Sequence, residues 1–287
     1  MPPSRPAPSS EALVQRPLRV LSAALPAAAA GDVAAVHRAR VASRRLREVL
    51  PVVASGKSMP ALTRAVRRLT GALGPVRELD VTLGLLEAAV GAKQISRRGA
   101  VALRQALLRR RALARTEMAR GLERCHPGRL RKGGLAVVRQ RPRLVEADAR
   151  LSRRADRLVR AIGEAAGLYV PEYLHEVRIA LKKLRYATEV LALVRGTPAV
   201  ARLRLLKRGQ DVLGRMHDLD VLTAEVRALQ GAADAPALSV CADLDRFVRI
   251  LDGECRQLHG QYMSLRDRLL RICEDAADAA PVQGRVA

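Results

Sequence analysis

His175-Glu-Val-Arg178-Ile-Ala-Leu-Lys182-Lys183-Leu-Arg185-Tyr186 has an earlier copy in the same chain, His37-Arg-Ala-Arg40-Val-Ala-Ser-Arg44-Arg45-Leu-Arg47. Five polar positions match at one offset of 138 (175 − 37, 178 − 40, 182 − 44, 183 − 45 and 185 − 47). On a helix, with His175 set at zero, Arg178, Lys182 and Arg185 fall at about 300°, 340° and 280°. With the histidine they share a stripe roughly 80° wide. Leu174, Val177, Leu181, Leu184 and Thr188 make an apolar stripe that borders it, and Val36, Ala39, Ser43, Leu46 and Leu50 repeat this in the first copy. An ordinary amphipathic helix sets its charges opposite its core. Here the cations run along the core's edge, where they line a groove between helices, repel one another and call for an anion. Lys183 and Arg45 fall at about 80°, off the row and toward another wall. A single charge run is usually a solvated face. Two copies with the same spacing, histidine and apolar neighbours argue against that here.

A second element follows each copy. Leu73-Gly74-Pro-Val-Arg77-Glu78-Leu79-Asp80-Val81 matches Leu213-Gly214-Arg-Met-His217-Asp218-Leu219-Asp220-Val221 at an offset of 140 (213 − 73). Arg64, Arg67 and Arg68 match Arg204, Lys207 and Arg208 at the same offset. The pattern H-x-x-R-x-x-x-[KR]-[KR]-L-R, followed by L-G-x-x-[HR]-[DE]-L-D-V, resembles the duplicated signature of the CHAD family, the conserved-histidine α-helical domains. The resemblance spans nearly all of residues 11 to 275. It implies two pseudo-symmetric four-helix bundles with long helices and a basic cleft or pore between them, and inorganic polyphosphate as ligand. Many CHAD relatives carry a triphosphatase-type domain in the same chain. None is visible in this sequence, so a stand-alone module is expected.

Composition agrees with an all-α fold and a polyanionic partner. Hydrophobic residues make up 49% of the 287, enough for a sizeable core, but aromatic residues only 2%, with no Trp. Such a core is built of Leu, Val and Ala, which suits helices. The formal net charge is +24, almost all of it from arginine, whose planar fork pairs with two phosphate oxygens at once. Part of that charge can reflect genomic base composition. Cys125, Cys241, Cys255 and Cys273 form no C-x-x-C pair and read as reduced apolar fillers. Arg16–Ala30 superficially resembles a signal peptide, but Glu11 precedes it and Pro26 interrupts it. No apolar run reaches transmembrane length.

Helices are expected over about 11–25, from an N-cap at Asp32 to Pro51, 60–73, 77–90, 95–124, 143–166, 171–195, 198–213, 217–230 and 238–275. Gly74-Pro75 is read as a break. Residues 1–10 are expected to be disordered, 11–276 to form one domain with halves of about 11–168 and 169–276, and 277–287 to fray. The basic run 127–143 reads either as an anion-catching loop or as a linker.

The expected function is therefore non-enzymatic binding of inorganic polyphosphate in the cytoplasm, at polyphosphate granules. The residues expected to carry it are His37, Arg40, Arg44, Arg45 and Arg47 on the first row, and His175, Arg178, Lys182, Lys183, Arg185 and Tyr186 on the second. Arg64, Arg67, Arg68, Arg204, Lys207, Arg208 and His217 join them. Glu48 stands opposite Tyr186 in the repeat, so the two rows are unequal. Asp80 and Asp220 are read as orienting the arginine rows or capping helices. No cofactor, metal ligand or catalytic residue is expected, beyond divalent counter-ions accompanying the polyanion. Granule proteins or phosphate-metabolising enzymes are candidate partners, and no membrane is. A nucleic-acid-binding protein is the alternative, weakened by the scarcity of aromatics for base stacking. An accessory protein or enzyme of phosphate metabolism is the second. Against an enzyme, the chain has no P-loop, no G-x-S-x-G and no acidic cluster within one motif.

Overall fold

A computed structural model describes residues 10–53, 59–125, 130, 143–232 and 235–278. Those residues form eight long helices and no strand: α1 (Ser10–Ala29), α2 (Val33–Val53), α3 (Met59–Gly91), α4 (Arg97–Glu123), α5 (Leu144–Glu164), α6 (Pro171–Arg195), α7 (Val200–Gln230) and α8 (Leu238–Asp278). The chain is all-α, as its composition and periodicity predict. The terminal segments 1–9 and 279–287 and most of the 127–143 run lie outside the described residues.

Helix starts and stops follow local chemistry. Asp32 caps α2 by accepting the Ala35 N–H on Oδ1 at 2.6 Å. Ser96 caps α4 in the same way, through Gly99 at 3.1 Å. Pro171 opens α6, where a missing N–H costs nothing. Gly196 closes it in the left-handed region (φ 67°), and the next N–H, of Thr197, returns to the Ala192 carbonyl at 3.1 Å.

Three expectations need correction. Gly74-Pro75 does not break its helix, because α3 is continuous from residue 59 to 91. The buried stripe Val66, Leu69, Leu73, Val76 keeps helical register straight through the proline. Each fully buried Leu or Val contributes about 1.5–3 kcal/mol, so together they outweigh the roughly 3 kcal/mol that an interior proline costs. By the same logic α7 runs unbroken past Gly214, on Leu206, Leu213, Met216 and Leu219. Pro51 likewise does not stop α2, which extends to Val53.

The third correction concerns the halves. α1–α4 pack as one four-helix bundle and α5–α8 as another. α5 buries Ala147, Leu151, Ala155, Leu158 and Ile162 and packs against α6 and α8. The division therefore falls before residue 144, not near 168. The two bundles meet chiefly along α2 with α6 and α3 with α7. Both apolar stripes that border the basic rows are buried throughout, from Val36 to Leu50 and from Leu174 to Thr188. Phe247 and Tyr262, on α8, are the largest fully buried side chains. The four cysteines are free thiols, and all but Cys241 are buried.

Candidate polyanion-binding cleft

Because α2 and α6 bury their apolar stripes in separate bundles and face each other across the joint, their basic edges converge. A cleft of about 530 Å³ lies there. Its cationic lining is Arg40, Arg44 and Arg47 from α2, Arg67 from α3, and Lys182 and Lys183 from α6. Glu48 of α2, Thr70, Gly71 and Gly74 of α3 and Ile179 and Tyr186 of α6 complete the wall. Arg40 donates through Nη1 to the Thr70 carbonyl at 3.3 Å, which anchors one cation to the α3 backbone.

These cations are crowded and partly dehydrated. Burial pushes the Lys182 ammonium down to about 7, and Arg44, Arg178, Arg40 and Lys183 add to the effect by repulsion. Burial also lowers Arg40, to about 10, with Arg44 adding to it and Glu78 opposing it. Arg44 is lowered by burial, against the favourable influence of the Tyr186 hydroxyl. Arg178 lies beyond the lining residues but within the field of Arg44, and it is lowered by burial while Asp218 and Glu78 hold it up. Glu78 and Asp218, equivalent residues of the two repeats, are thus the acids that temper the cleft. Burial raises the Asp218 carboxyl, against the pull of Arg178, Arg77 and Arg215.

The histidines sit at the edge of this field. His175 Nδ1 and His217 Nδ1 are 3.1 Å apart, with ring centroids 4.5 Å apart and planes tilted by 47°. One must donate and the other accept, so the pair holds a single proton on that axis. Burial, then Arg178, His175 and Lys182, push His217 down to about 4. His175 is lowered by burial and by Arg178. In the first half His37 is lowered by burial and then by Arg77, the counterpart of His217. The equivalent position thus faces each histidine with a different group, a contacting imidazole in the second half and a repelling guanidinium in the first.

The family model for the CHAD domain matches residues 12–227. The chain belongs to the CHAD family. Among solved structures, the crystal structure of the CHAD domain from the plant Ricinus communis is 22% identical, with a TM-score of 0.58 over 97% of this chain and 95% of that one. PptA from Streptomyces chartreusis is 18% identical, with a TM-score of 0.63 over 91% and 99%. At such identities the likeness speaks for the fold. No curated protein matches the chain.

The CHAD fold does not bring every expected residue to the cleft. Arg185, the last cation of the second row, is spent on structure: Nε donates to Gln210 at 2.7 Å, Nη1 pairs with Glu189, and the guanidinium lies 4.4 Å from the Tyr186 ring centroid. Its counterpart Arg47 lines the cleft freely. Arg45 is exposed on a different groove, as its off-row angle predicts, whereas Lys183, at the same angle, lines the cleft. Arg67 reaches the lining because residues 67, 70, 71 and 74 share one face of α3. Arg64 and Arg68 are exposed outside it. Arg204 and Arg208 are also exposed and outside the lining, while Lys207 pairs with Asp211 at 2.6 Å.

Other residues emerge only from the fold. The Glu48 carboxylate accepts from Arg150 Nη2 at 2.6 Å and Nε at 3.1 Å, with Arg154 at 3.7 Å. Both arginines belong to α5, so this cluster ties the first bundle to the second. No local signal could reveal a partner 102 residues away. Asp80 and Asp220 turn into their own bundles. Asp80 accepts from Arg111 Nε at 2.6 Å, and Asp220 from the Tyr169 hydroxyl at 2.9 Å and the Cys255 thiol at 3.7 Å. Among the described residues no group of three or more His, Cys, Asp or Glu is placed to hold a metal, and no helix is long and apolar enough to cross a membrane.

Proposed function

We propose that this CHAD protein binds inorganic polyphosphate in the cleft between its bundles and does no chemistry on it. The observation that carries the reading is the convergence of Arg40, Arg44, Arg47, Arg67, Lys182 and Lys183 on one cleft, where burial and the neighbouring cations push the Lys182 ammonium down. A site that pays for so much unrelieved positive charge is stabilised by an anion, and a linear polymer with a charge on every unit relieves several cations together. The arginine forks supply paired donors to phosphate oxygens, and the two repeats flank the chain from opposite sides. The family resemblance supports polyphosphate over other polyanions. The non-catalytic reading is supported by the engagement of Asp80 with Arg111 and of Asp220 with Tyr169, away from the cationic rows. In the cell the protein would sit in the cytoplasm at polyphosphate granules and bring partners to them.

Calorimetric titration with long-chain polyphosphate at near-physiological salt tests this. Wild type should bind, with duplex DNA at matched phosphate a poor competitor, and Arg178→Glu with Lys182→Glu should weaken binding at least 100-fold. Equal competition by DNA would favour the nucleic-acid reading. Binding indifferent to the double reversal would sink the cleft as the site.

A further inference from the structure

A second groove, of about 1020 Å³, adjoins the cleft of about 530 Å³. α1 supplies Leu13 and Pro17, α2 Val49, α6 Val190 and Leu193, and the start of α7 Leu203. Its volume is that of a ligand site, and its lining is mostly apolar with a few polar groups, as in such sites. The apolar surface continues onto the rim, where Leu193 is 48% exposed and Val200 50%.

The charges at this groove are unequally satisfied. Its acids are already engaged, Glu48 by Arg150 and Arg154, and Glu189 by Arg185. Arg16 and Arg45 also line it, and among the described residues neither has an acidic partner. The first turn of α7 opens on the same groove, and its N-cap, Ala199, provides no side-chain acceptor. That turn adds positive potential. The groove therefore asks for an occupant that is apolar along its length and acidic at its edge. An open trough with apolar rims suits a helical segment more than a small enclosed ligand.

We infer that this groove docks an amphipathic, acid-flanked helix of another protein. Tyr186 and Glu48 line both this groove and the cationic cleft, so the docked partner would stand directly beside the cleft. The inference does not depend on what the cleft binds.

The test uses the full chain and a displayed library of 14-residue helix-forming peptides. Each has apolar residues at i, i+3, i+4 and i+7, and one pool has glutamate at the flanks, the other lysine. Peptides from the glutamate pool should bind, and the lysine pool should not. Leu193→Asp on the exposed rim and Ala192→Trp in the groove should each weaken selected peptides at least tenfold. Arg16→Glu with Arg45→Glu should switch the preference to the lysine pool. Thermal melts and far-ultraviolet circular dichroism of the Leu193→Asp protein establish that it is folded. The inference fails if neither pool yields a binder, if both pools bind alike, or if binders ignore Leu193→Asp and so sit on the general basic surface. It also fails if sodium dodecanoate occupies the groove while no peptide does. That outcome would mark a small-amphiphile site.

Discussion

Lys182 makes one prediction that runs in opposite directions for the free and the loaded protein. Its ordinary pKa is 10.5 and it stands at about 7 in the cleft. At about 1.36 kcal/mol per pH unit, keeping it protonated below pH 7 costs the folded state about 5 kcal/mol, less whatever counter-ions in the cleft screen. Between pH 7 and 10.5 the unfolded chain binds more protons at this site than the folded one. The stability of the free protein therefore rises with pH across that window. A polyanion in the cleft restores the ammonium toward its ordinary value, so binding takes up a proton. Affinity then falls as pH rises through 7, by about a hundredfold from pH 6 to pH 9 for this single group. Long-chain polyphosphate keeps the ligand's own charge nearly constant, because its internal phosphates stay ionised. Titrations in buffers of different ionisation enthalpy count the proton taken up, and urea midpoints at pH 7, 8.5 and 10 follow stability. Lys182→Met should flatten both slopes in this window and raise the stability of the free protein at pH 7. Slopes of the same sign, or slopes that Lys182→Met leaves unchanged, would refute the reasoning.

Glu48→Ala should destabilise the fold by about 3 kcal/mol, because it strands Arg150 and Arg154 at the seam between the bundles. Arg150→Met added to it should recover part of that loss in chemical denaturation. Asp80→Ala should likewise cost about 3 kcal/mol through Arg111 yet shift polyphosphate affinity less than threefold, whereas loss of binding on this change would give Asp80 a part in the site. Arg204→Ala and Arg208→Ala should leave affinity within threefold of wild type, while Arg44→Ala should lower it more than tenfold and reduce the salt dependence of binding by about one ion.

How far the site can be read from the sequence depends on distance along the chain. The wheel that separates Arg178 and Lys182 from Leu181 and Leu184 needs only 3.6 residues per turn, and the buried stripes obey it. Arg45 is set off the row by the same geometry. Arg185 shares the row's angle, but Glu189 one turn on and Gln210 on the next helix claim it. Gly74-Pro75 carries a local stop signal that the buried stripe on either side overrides. The cluster of Glu48 with Arg150 and Arg154 has no local trace. Glu48 alone reads as a flaw in the first row, and only its α5 partners turn it into a clasp.

Duplication, apolar period and composition determine that this chain is all-α, that it has two like halves, and that two basic rows lie along the edges of buried stripes. Those properties are set by neighbours within a few turns or by comparison of the chain with itself. The tertiary structure decided which helices make each bundle, that α3 rather than α7 walls the cleft, and that Asp80 and Asp220 face inward. It also decided which cations remain unpaired. A side chain's charge is written in the sequence, but whether it is desolvated, neutralised or left exposed depends on what packs against it from distant parts of the chain.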